Sequence, residues 1–224
     1  MSKVVNPFAH RLGILRDWRH RWYASGPKYQ EYLKADILLR EFLLRELRGM
    51  YIGGLEIERN DKTLRIMIKT SRPGLIIGRS GEGSTKLRNK VAAFLQNKKL
   101  HVPELKLDIE EIRSPESNAA IVAFMVAEGL EKRMPFRRVL KQTIEKVMAN
   151  RDVKGVRIGL AGMLGGGSMS RREELKKGRV PLQTFRSDID FAKERANLPL
   201  GVIGIKVWIY RGEVFGTDTK EKTK

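Results

Sequence analysis

A glycine-rich loop at residues 78–85, with the sequence GRSGEGST, carries the residue types that could hold phosphate groups. Gly78 and Gly83 have the spacing of the nucleotide-binding pattern G-x-x-x-x-G-K-[ST]. That pattern needs a lysine ammonium at the next position to neutralise the phosphates, and this chain has Ser84 there. The dinucleotide pattern G-x-G-x-x-G is absent. The loop therefore disfavours a bound nucleotide.

Two interpretations of the loop remain open. In the first, it is an ordinary turn whose glycines supply positive φ angles. In the second, it is a G-x-x-G clamp for a nucleic-acid strand, formed by Gly78, Arg79, Ser80 and Gly81. Two glycines would let the backbone approach a sugar–phosphate strand, and the start of the following helix would favour an anion. Arg79 would add a positive charge.

Side chains for catalysis or metal binding are few. The chain has no Cys, which excludes disulfides and thiolate metal sites and favours an intracellular protein. Its three histidines are scattered along the chain: His10, His20 and His101. Asp188 and Asp190 alternate on a presumed strand and could bind Mg²⁺ or do acid–base work. Arg186 and Lys193 lie close by, so ion pairing is the simpler interpretation, and we expect no cofactor, no metal and no enzymatic activity.

The charge of the chain points to a polyanionic partner. It has 45 Lys and Arg against 26 Asp and Glu, a net charge of +19. The excess is spread along the sequence, with +10 in residues 1–113 and +9 in residues 117–213. Nucleic acid is the commonest partner of so basic a surface. The longest apolar run, within residues 117–127, is too short to span a bilayer, so no membrane partner is expected.

The elements that must position the loop follow from hydrophobic periodicity. Apolar residues recur at threes and fours in residues 28–48 and 82–97, which predicts two helices. Alternating residues predict a hairpin of two strands between them and a further strand at residues 105–109. The order helix–strand–strand–loop–helix–strand resembles the bacterial type II KH fold, in which a G-x-x-G loop holds single-stranded RNA or DNA.

The second half of the chain has a different pattern. Ser114-Pro115-Glu116 marks a break, after which Ser117 is expected to cap a helix and Pro135 to begin another that runs to about Asn150. From Gly155 onward the pattern predicts about four strands, including residues 179–185. We therefore expect an α+β chain with two domains, the second a two-layer unit of two helices on an antiparallel four-stranded sheet.

These patterns divide the chain into four parts. They are a basic N-terminal arm (1–27), a type II KH RNA-binding domain (28–113), a C-terminal α+β domain (117–213) and a polar tail (214–224). The arm either orders only against a partner or packs on its own domain.

The second domain carries the more specific motifs. They are FRRVLK, GRVPLQTFRSDIDF and GVIGIKVWIYRGE. Together with Arg11-Leu12-Gly13-Ile14 in the arm and the KH pattern, they closely resemble the S-three family of bacterial small-subunit ribosomal proteins, over about residues 1–216. Asn6 and Ala9 depart from the family, which has His and Gly at these positions.

The resemblance implies a structural protein of the cytoplasmic ribosome, bound to small-subunit rRNA in the head beside proteins S-ten and S-fourteen. It also implies a place at the mRNA entrance channel, where family members hold mRNA and melt downstream duplexes during translation. The implicated cations match Arg137, Arg138 and Lys141, which lie within an arc of about 100° on an ideal helix; Lys132 and Arg133 precede them. A solvated face with a Lys141–Glu145 pair is the alternative.

For contacts with rRNA we expect a glycine turn at residues 165–167 and the basic stretch beside it, which suit backbone phosphates. The predicted residues are Gly165, Gly166, Arg171, Arg172, Lys176, Lys177 and Arg179. The arm adds Arg11, Arg16, Arg19 and Arg21. A solvated charge run containing Glu173 and Glu174 is the alternative, and a free-standing KH-type regulator of RNA is the alternative for the whole chain.

Overall fold

The computed structural model describes residues 5–60, 62–98 and 104–215, which fold into two compact units. The first unit is Trp18–Arg113, and the second combines residues 5–17 with residues 114–215. Asp61 of the predicted hairpin turn, His101 and most of the predicted polar tail, residues 216–224, lie outside the described residues.

The described residues of the first unit form three α-helices and a four-stranded sheet. In chain order its elements are β1 (His20–Arg21), α2 (Pro27–Glu46), β2 (Ile52–Arg59), β3 (Thr63–Thr70), α3 (Pro73–Ile77), α4 (Glu82–Asn97) and β4 (Glu104–Glu111); α1 (Pro7–His10) precedes them in the second unit. The sheet order is β1-β2-β3-β4, with β2 and β3 antiparallel and both outer pairs parallel. The predicted helices and strands are confirmed.

Burial explains why these elements form. Helix α2 buries Leu39 and Leu43, and α4 buries Val91 and Leu95, all at helical spacing. They share one core with the alternating apolar residues of the strands. Phe42 of α2 stacks on Phe94 of α4 with ring centroids 4.4 Å apart. The hydrophobic period of each segment thus fixes which face is buried.

The second unit is the predicted two-layer arrangement. Its elements are α5 (Ala119–Glu131), α6 (Phe136–Ala149), β5 (Gly155–Gly162), β6 (Arg171–Gly178), β7 (Ser187–Leu198) and β8 (Gly201–Glu213). The sheet is antiparallel with the order β6-β5-β8-β7, and α5 and α6 share a core with one of its faces.

Two details of the second unit differ from the sequence-based prediction. Asn118, and not Ser117, caps α5, since its side chain accepts from the amides of Ala120 and Ile121. The Ser117 hydroxyl instead donates to the Ser114 carbonyl at 2.9 Å. Residues 179–185 are not a strand: Pro181 has no amide to donate to a ladder.

The N-terminal arm is divided between the two units and packs on both, which is the second of the two interpretations above. Residues 5–17 belong to the second unit, through the fully buried Arg11. The Arg11 guanidinium donates to the carbonyls of Ser187 at 2.6 Å, Thr184 at 2.9 Å and Leu182 at 3.1 Å. These bonds satisfy carbonyls of the irregular segment before β7 and of the first residue of β7.

The rest of the arm joins the first unit. β1 pairs with β2, and the Trp22 indole donates to the buried Asp36 carboxylate at 2.6 Å. Arg59 donates to the other carboxylate oxygen at 3.2 Å. Burial raises the pKa of Asp36, although Arg59 and Trp22 oppose the shift. Burial also lowers the pKa of the neighbouring His20.

Candidate nucleic-acid interface

The glycine loop connects α3 to α4 through residues 78–81, three of which have a positive φ. Gly78 has φ 70° and ψ −173°, Ser80 has φ 51° and Gly81 has φ 81°. Gly81 precedes α4, whose first turn has no side-chain cap. Arg79 and Ser80 are exposed at the tip. The loop therefore presents a cation and a helix N-terminus together, the arrangement that a phosphate clamp needs.

Gly83 has a role that the sequence analysis missed. A Cβ on Gly83 would lie 2.5 Å from the Ile76 carbonyl oxygen and 2.9 Å from that of Ile77. Gly83 therefore allows the first turn of α4 to pack directly against the end of α3, and this contact fixes the shape of the loop. The available signal was a glycine inside a predicted helix, which often marks close packing.

Apolar side chains lie beside the loop. Leu75 and Ile77 of α3 are 56% and 38% exposed. Exposed apolar surface beside a cation and a helix N-terminus is an arrangement that suits a single strand, because unstacked bases need apolar contacts while the backbone needs cations.

Helix α6 has the two faces that its sequence predicts. Val139, Leu140 and Ile144 are buried, whereas Arg137, Arg138 and Lys141 are exposed. Arg137 forms an ion pair with Glu173 of β6 at 3.3 Å. Arg138 and Lys141 form no ion pair with any described residue. The Lys141–Glu145 pair of the alternative interpretation is therefore not formed on α6. Two unpaired cations thus lie on a rigid helix.

Lys132 and Arg133 lie in the short connection that leads into α6. Lys132 pairs with Glu128 of α5 at 2.6 Å. Arg133 is exposed and holds a left-handed backbone conformation with φ 59°, which turns the chain towards α6. The connection therefore places both cations just before those of α6 in the chain.

The predicted basic stretch is β6, an edge strand of the second sheet. Its residues alternate between the two faces, so that Arg172 and Lys176 share the face away from the helices, while Arg171 and Lys177 lie on the other. Gly165 and Gly166 have φ angles of 69° and 79°. Arg179 is exposed just after β6.

The arm contributes fewer cations than expected. The prediction that Arg11 contacts rRNA does not fit the structure, because Arg11 is fully buried and bonded to carbonyls of its own unit. Arg16 is bound to Asp188 at 2.7 Å and to Asp190 at 3.3 Å. Arg21 pairs with Glu58, and Arg19 is half-buried, its carbonyl accepting from the Ile57 amide in the sheet.

The two aspartates of the enzyme alternative take part in ion pairs, as the simpler interpretation predicts, but not with the expected Arg186 and Lys193. Arg16 and Arg211 bind both Asp188 and Asp190, and Asp190 also accepts from the Ala119 amide. Within residues 5–60, 62–98 and 104–215, no group of three or more His, Asp or Glu side chains is placed to hold a metal ion. Among the same residues, no helix has the length and apolar composition needed to cross a membrane.

Comparisons with known proteins agree with both units. A family model described as "KH domain" matches residues 38–117, and one described as "Ribosomal protein S3, C-terminal domain" matches residues 126–209. The chain is 41% identical to the "Small ribosomal subunit protein uS3" of Desulfatibacillum aliphaticivorans over 98% of this chain and 97% of that protein. It is 42% identical to the protein of the same name from Ectopseudomonas mendocina, over 99% and 94% of the two chains. The chain therefore belongs to the uS3 family of small ribosomal subunit proteins.

Proposed function

We propose that the chain is a structural protein of the small ribosomal subunit, that it binds small-subunit rRNA in the head, and that it lies beside proteins S-ten and S-fourteen. We propose further that α6 contacts mRNA at the entrance channel. Family membership supports the ribosomal role, and the net charge of +19 supports an RNA partner.

The observation that carries the mRNA proposal is the state of the cations on α6. Arg138 and Lys141 are exposed without a carboxylate partner among the described residues, and one buried face holds the helix in place. The Arg137–Glu173 pair is exposed, and such pairs contribute at most about 1 kcal/mol. A phosphate can therefore replace Glu173 at little cost.

The proposed mechanism needs no bond-making by this chain. Cations on a rigid helix bind phosphates of a strand that translocation pulls past them. If α6 binds a single strand better than a duplex, it shifts the melting equilibrium of a downstream hairpin by that difference in affinity. The ribosome supplies the work.

The test removes the three cations together, as Arg137→Ala, Arg138→Ala and Lys141→Ala. Ribosomes that carry this variant should translate hairpin-containing messages more slowly than wild-type ribosomes and should translate unstructured messages at the same rate. A charge-matched control removes three exposed cations of α2, as Lys28→Ala, Lys34→Ala and Arg45→Ala. Equal rates for variant and wild type on hairpin messages would contradict the proposal.

Assembly into the small subunit is tested separately. Sedimentation at moderate salt should recover the protein at one copy per small subunit. Recovery only in the fractions of free protein or small RNA complexes would favour the free-standing regulator instead.

We propose that the glycine loop contacts RNA through Arg79 and Ser80. Ser80→Asp is the sharpest test, because Ser80 already holds a left-handed conformation that Asp tolerates, whereas Gly78 holds one that is essentially restricted to glycine. The added charge should weaken RNA binding, and Ser80→Asn, of the same shape but neutral, should not. Unchanged RNA affinity in Ser80→Asp would show that the loop faces something other than RNA.

A further inference from the structure

The second sheet has a face that the site described above does not use. On β5, Val156, Ile158 and Leu160 lie in the core with the helices, so Arg157, Gly159 and Ala161 point to the other side. Residues directly opposite one another in an antiparallel ladder share a face. The pairing therefore assigns the members of this outward face on each neighbouring strand.

The outward face is strongly basic. Its charged members include six cations and one carboxylate, Glu174. The cations are Arg157, Arg172, Lys176, Lys193, Arg195 and Lys206. Glu174 is bound by Arg157 at 2.7 Å, and this hydrogen bond lowers the pKa of Glu174. Lys176, Lys193 and Lys206 form no ion pair with any described residue.

Lys193 and Lys206 lie directly opposite each other on β7 and β8, and both are exposed. Like charges in this position repel and destabilise a sheet. An anion bound between the two lysines would replace this repulsion with two attractions. The pair is therefore the centre of the face, with Arg195 two residues further along β7.

The neighbouring surface allows a close approach. Gly159 and Ala161 of β5 and Gly204 of β8 form a floor of small residues beside Lys206. At one end of the floor, the buried Trp208 ring supports the Arg157 guanidinium, which lies 5.0 Å from the ring centroid. The small residues of the floor therefore leave room for a strand to approach closely, with cations on its borders.

The outward face of the first sheet shows what a solvated charged face looks like in the same chain. It carries four cations (Arg21, Arg65, Lys69, Lys106) and five carboxylates (Glu56, Glu58, Glu104, Asp108, Glu110). Ion pairs connect them, including Arg65 with Asp108, Arg21 with Glu58 and Lys69 with Glu56. That face has a net charge of −1, whereas the outward face of the second sheet has a net charge of +5.

We propose that the outward face of the second sheet, centred on Lys193 and Lys206, binds the sugar–phosphate backbone of RNA. The proposal rests on the proposed function of the chain as an RNA-bound protein and adds a surface built from β5, β6, β7 and β8. Phosphates bind over the small-residue floor and between the opposed lysines, with no reading of base sequence.

The test uses the full-length protein, a small-subunit rRNA transcript and the double variant Lys193→Gln and Lys206→Gln. Binding is measured over a series of salt concentrations. Loss of two phosphate contacts should make the slope of log K against log salt shallower by about 1.4–1.8 and weaken binding on the order of tenfold at low salt. The variant Lys193→Arg with Lys206→Arg should restore both quantities.

The control Lys28→Gln with Lys34→Gln removes the same charge from α2. It should change the salt slope and the RNA affinity by only a small fraction of the change seen in the sheet variant. Because the lysines are exposed and repel each other, the sheet variant should unfold at the same temperature as the wild type or slightly higher, which checks its fold.

Three results overturn the proposal. If the wild-type protein fails to bind the transcript, the proposed function fails, and this surface fails with it. If the wild type binds and the sheet variant matches it, or loses no more than the α2 control, only this surface is wrong. If RNA binding persists while the sheet variant loses a neighbouring protein from reconstituted subunits, the face binds protein instead of RNA.

Discussion

Gly83→Ala tests whether the glycine loop is shaped by close packing of α3 against α4. An added Cβ would lie 2.5 Å from the Ile76 carbonyl oxygen, where ordinary contact begins at 3.4 Å, so about 0.9 Å of displacement is needed. The obstacle is backbone, which cannot rotate away. We expect overpacking to destabilise the first unit by about 1–3 kcal/mol.

Gly74→Ala in α3 is the matched control. It lies in the same unit, it has an ordinary helical φ, and nothing lies within 4 Å of its added Cβ. Replacing glycine by alanine at such a position stabilises a protein by about 0.4–1 kcal/mol, because the unfolded chain loses freedom. The two substitutions have the same chemistry, and the structure predicts opposite signs for them.

The assay is native-state hydrogen exchange of α4 amides in the full-length protein, which reports on the first unit alone. Exchange should accelerate in Gly83→Ala and slow in Gly74→Ala. Gly83→Ala should also weaken RNA binding at the loop, since Arg79 and Ser80 are presented by the same turn. A neutral or stabilising Gly83→Ala would refute the role of close packing and leave Gly83 as an ordinary loop glycine.

Three further predictions concern the elements that hold each unit together. Arg11→Met removes the guanidinium that donates to four carbonyls, those of Pro7, Leu182, Thr184 and Ser187, and should destabilise the second unit by about 3 kcal/mol; wild-type protection of β7 amides in hydrogen exchange would contradict this. Burial places the pKa of His20 below its ordinary 6.5, so the unfolded chain takes up a proton first as the pH falls. The stability that His20 contributes to the first unit should therefore be full above pH 6.5 and should decline as the pH falls towards the folded pKa. NMR titration of the imidazole, whose signal is identified by its loss in His20→Gln, should give a pKa below 6.5. A pKa at or above 6.5 would refute the claim that burial of His20 lowers its pKa. Asn118→Ala removes the acceptor for two amides of α5 and should cost about 1 kcal/mol in urea unfolding, whereas Ser117→Ala should cost less; equal effects would argue against Asn118 as the cap.

The sequence predicted most of the fold because burial in this chain follows simple periods. Helix α4 was predicted at its observed residues, and the hairpin was predicted from alternation alone. The exposed face of α6 was predicted correctly for the same reason. Where periodicity is absent, as in residues 179–185, the expectation of a strand was wrong.

The sequence could not predict contacts between residues that lie far apart in the chain. Arg11 was expected to contact RNA because a basic arm is typical of RNA-binding proteins. Three of its four carbonyl partners lie more than 170 positions away in the chain. The opposition of Lys193 and Lys206 could not be predicted for the related reason that only the register of β7 and β8 places them opposite each other.

The net charge of +19 is therefore a poor guide to which cations bind RNA. Arg11 and Arg16 are positively charged but serve the interior of the second unit, and the cations of the first sheet are balanced by carboxylates. The cations left over, such as Arg138 on α6 and Lys206 on β8, share two properties: exposure and a rigid regular element beneath them. A cation that already has a carboxylate partner must give it up before it binds a phosphate, whereas an unpaired one loses only water. Because α6 and the sheet already hold their backbones in place, less conformational entropy is lost when a phosphate binds them than when a flexible arm orders against RNA. The cations on these elements should therefore account for most of the salt-dependent RNA affinity of this chain.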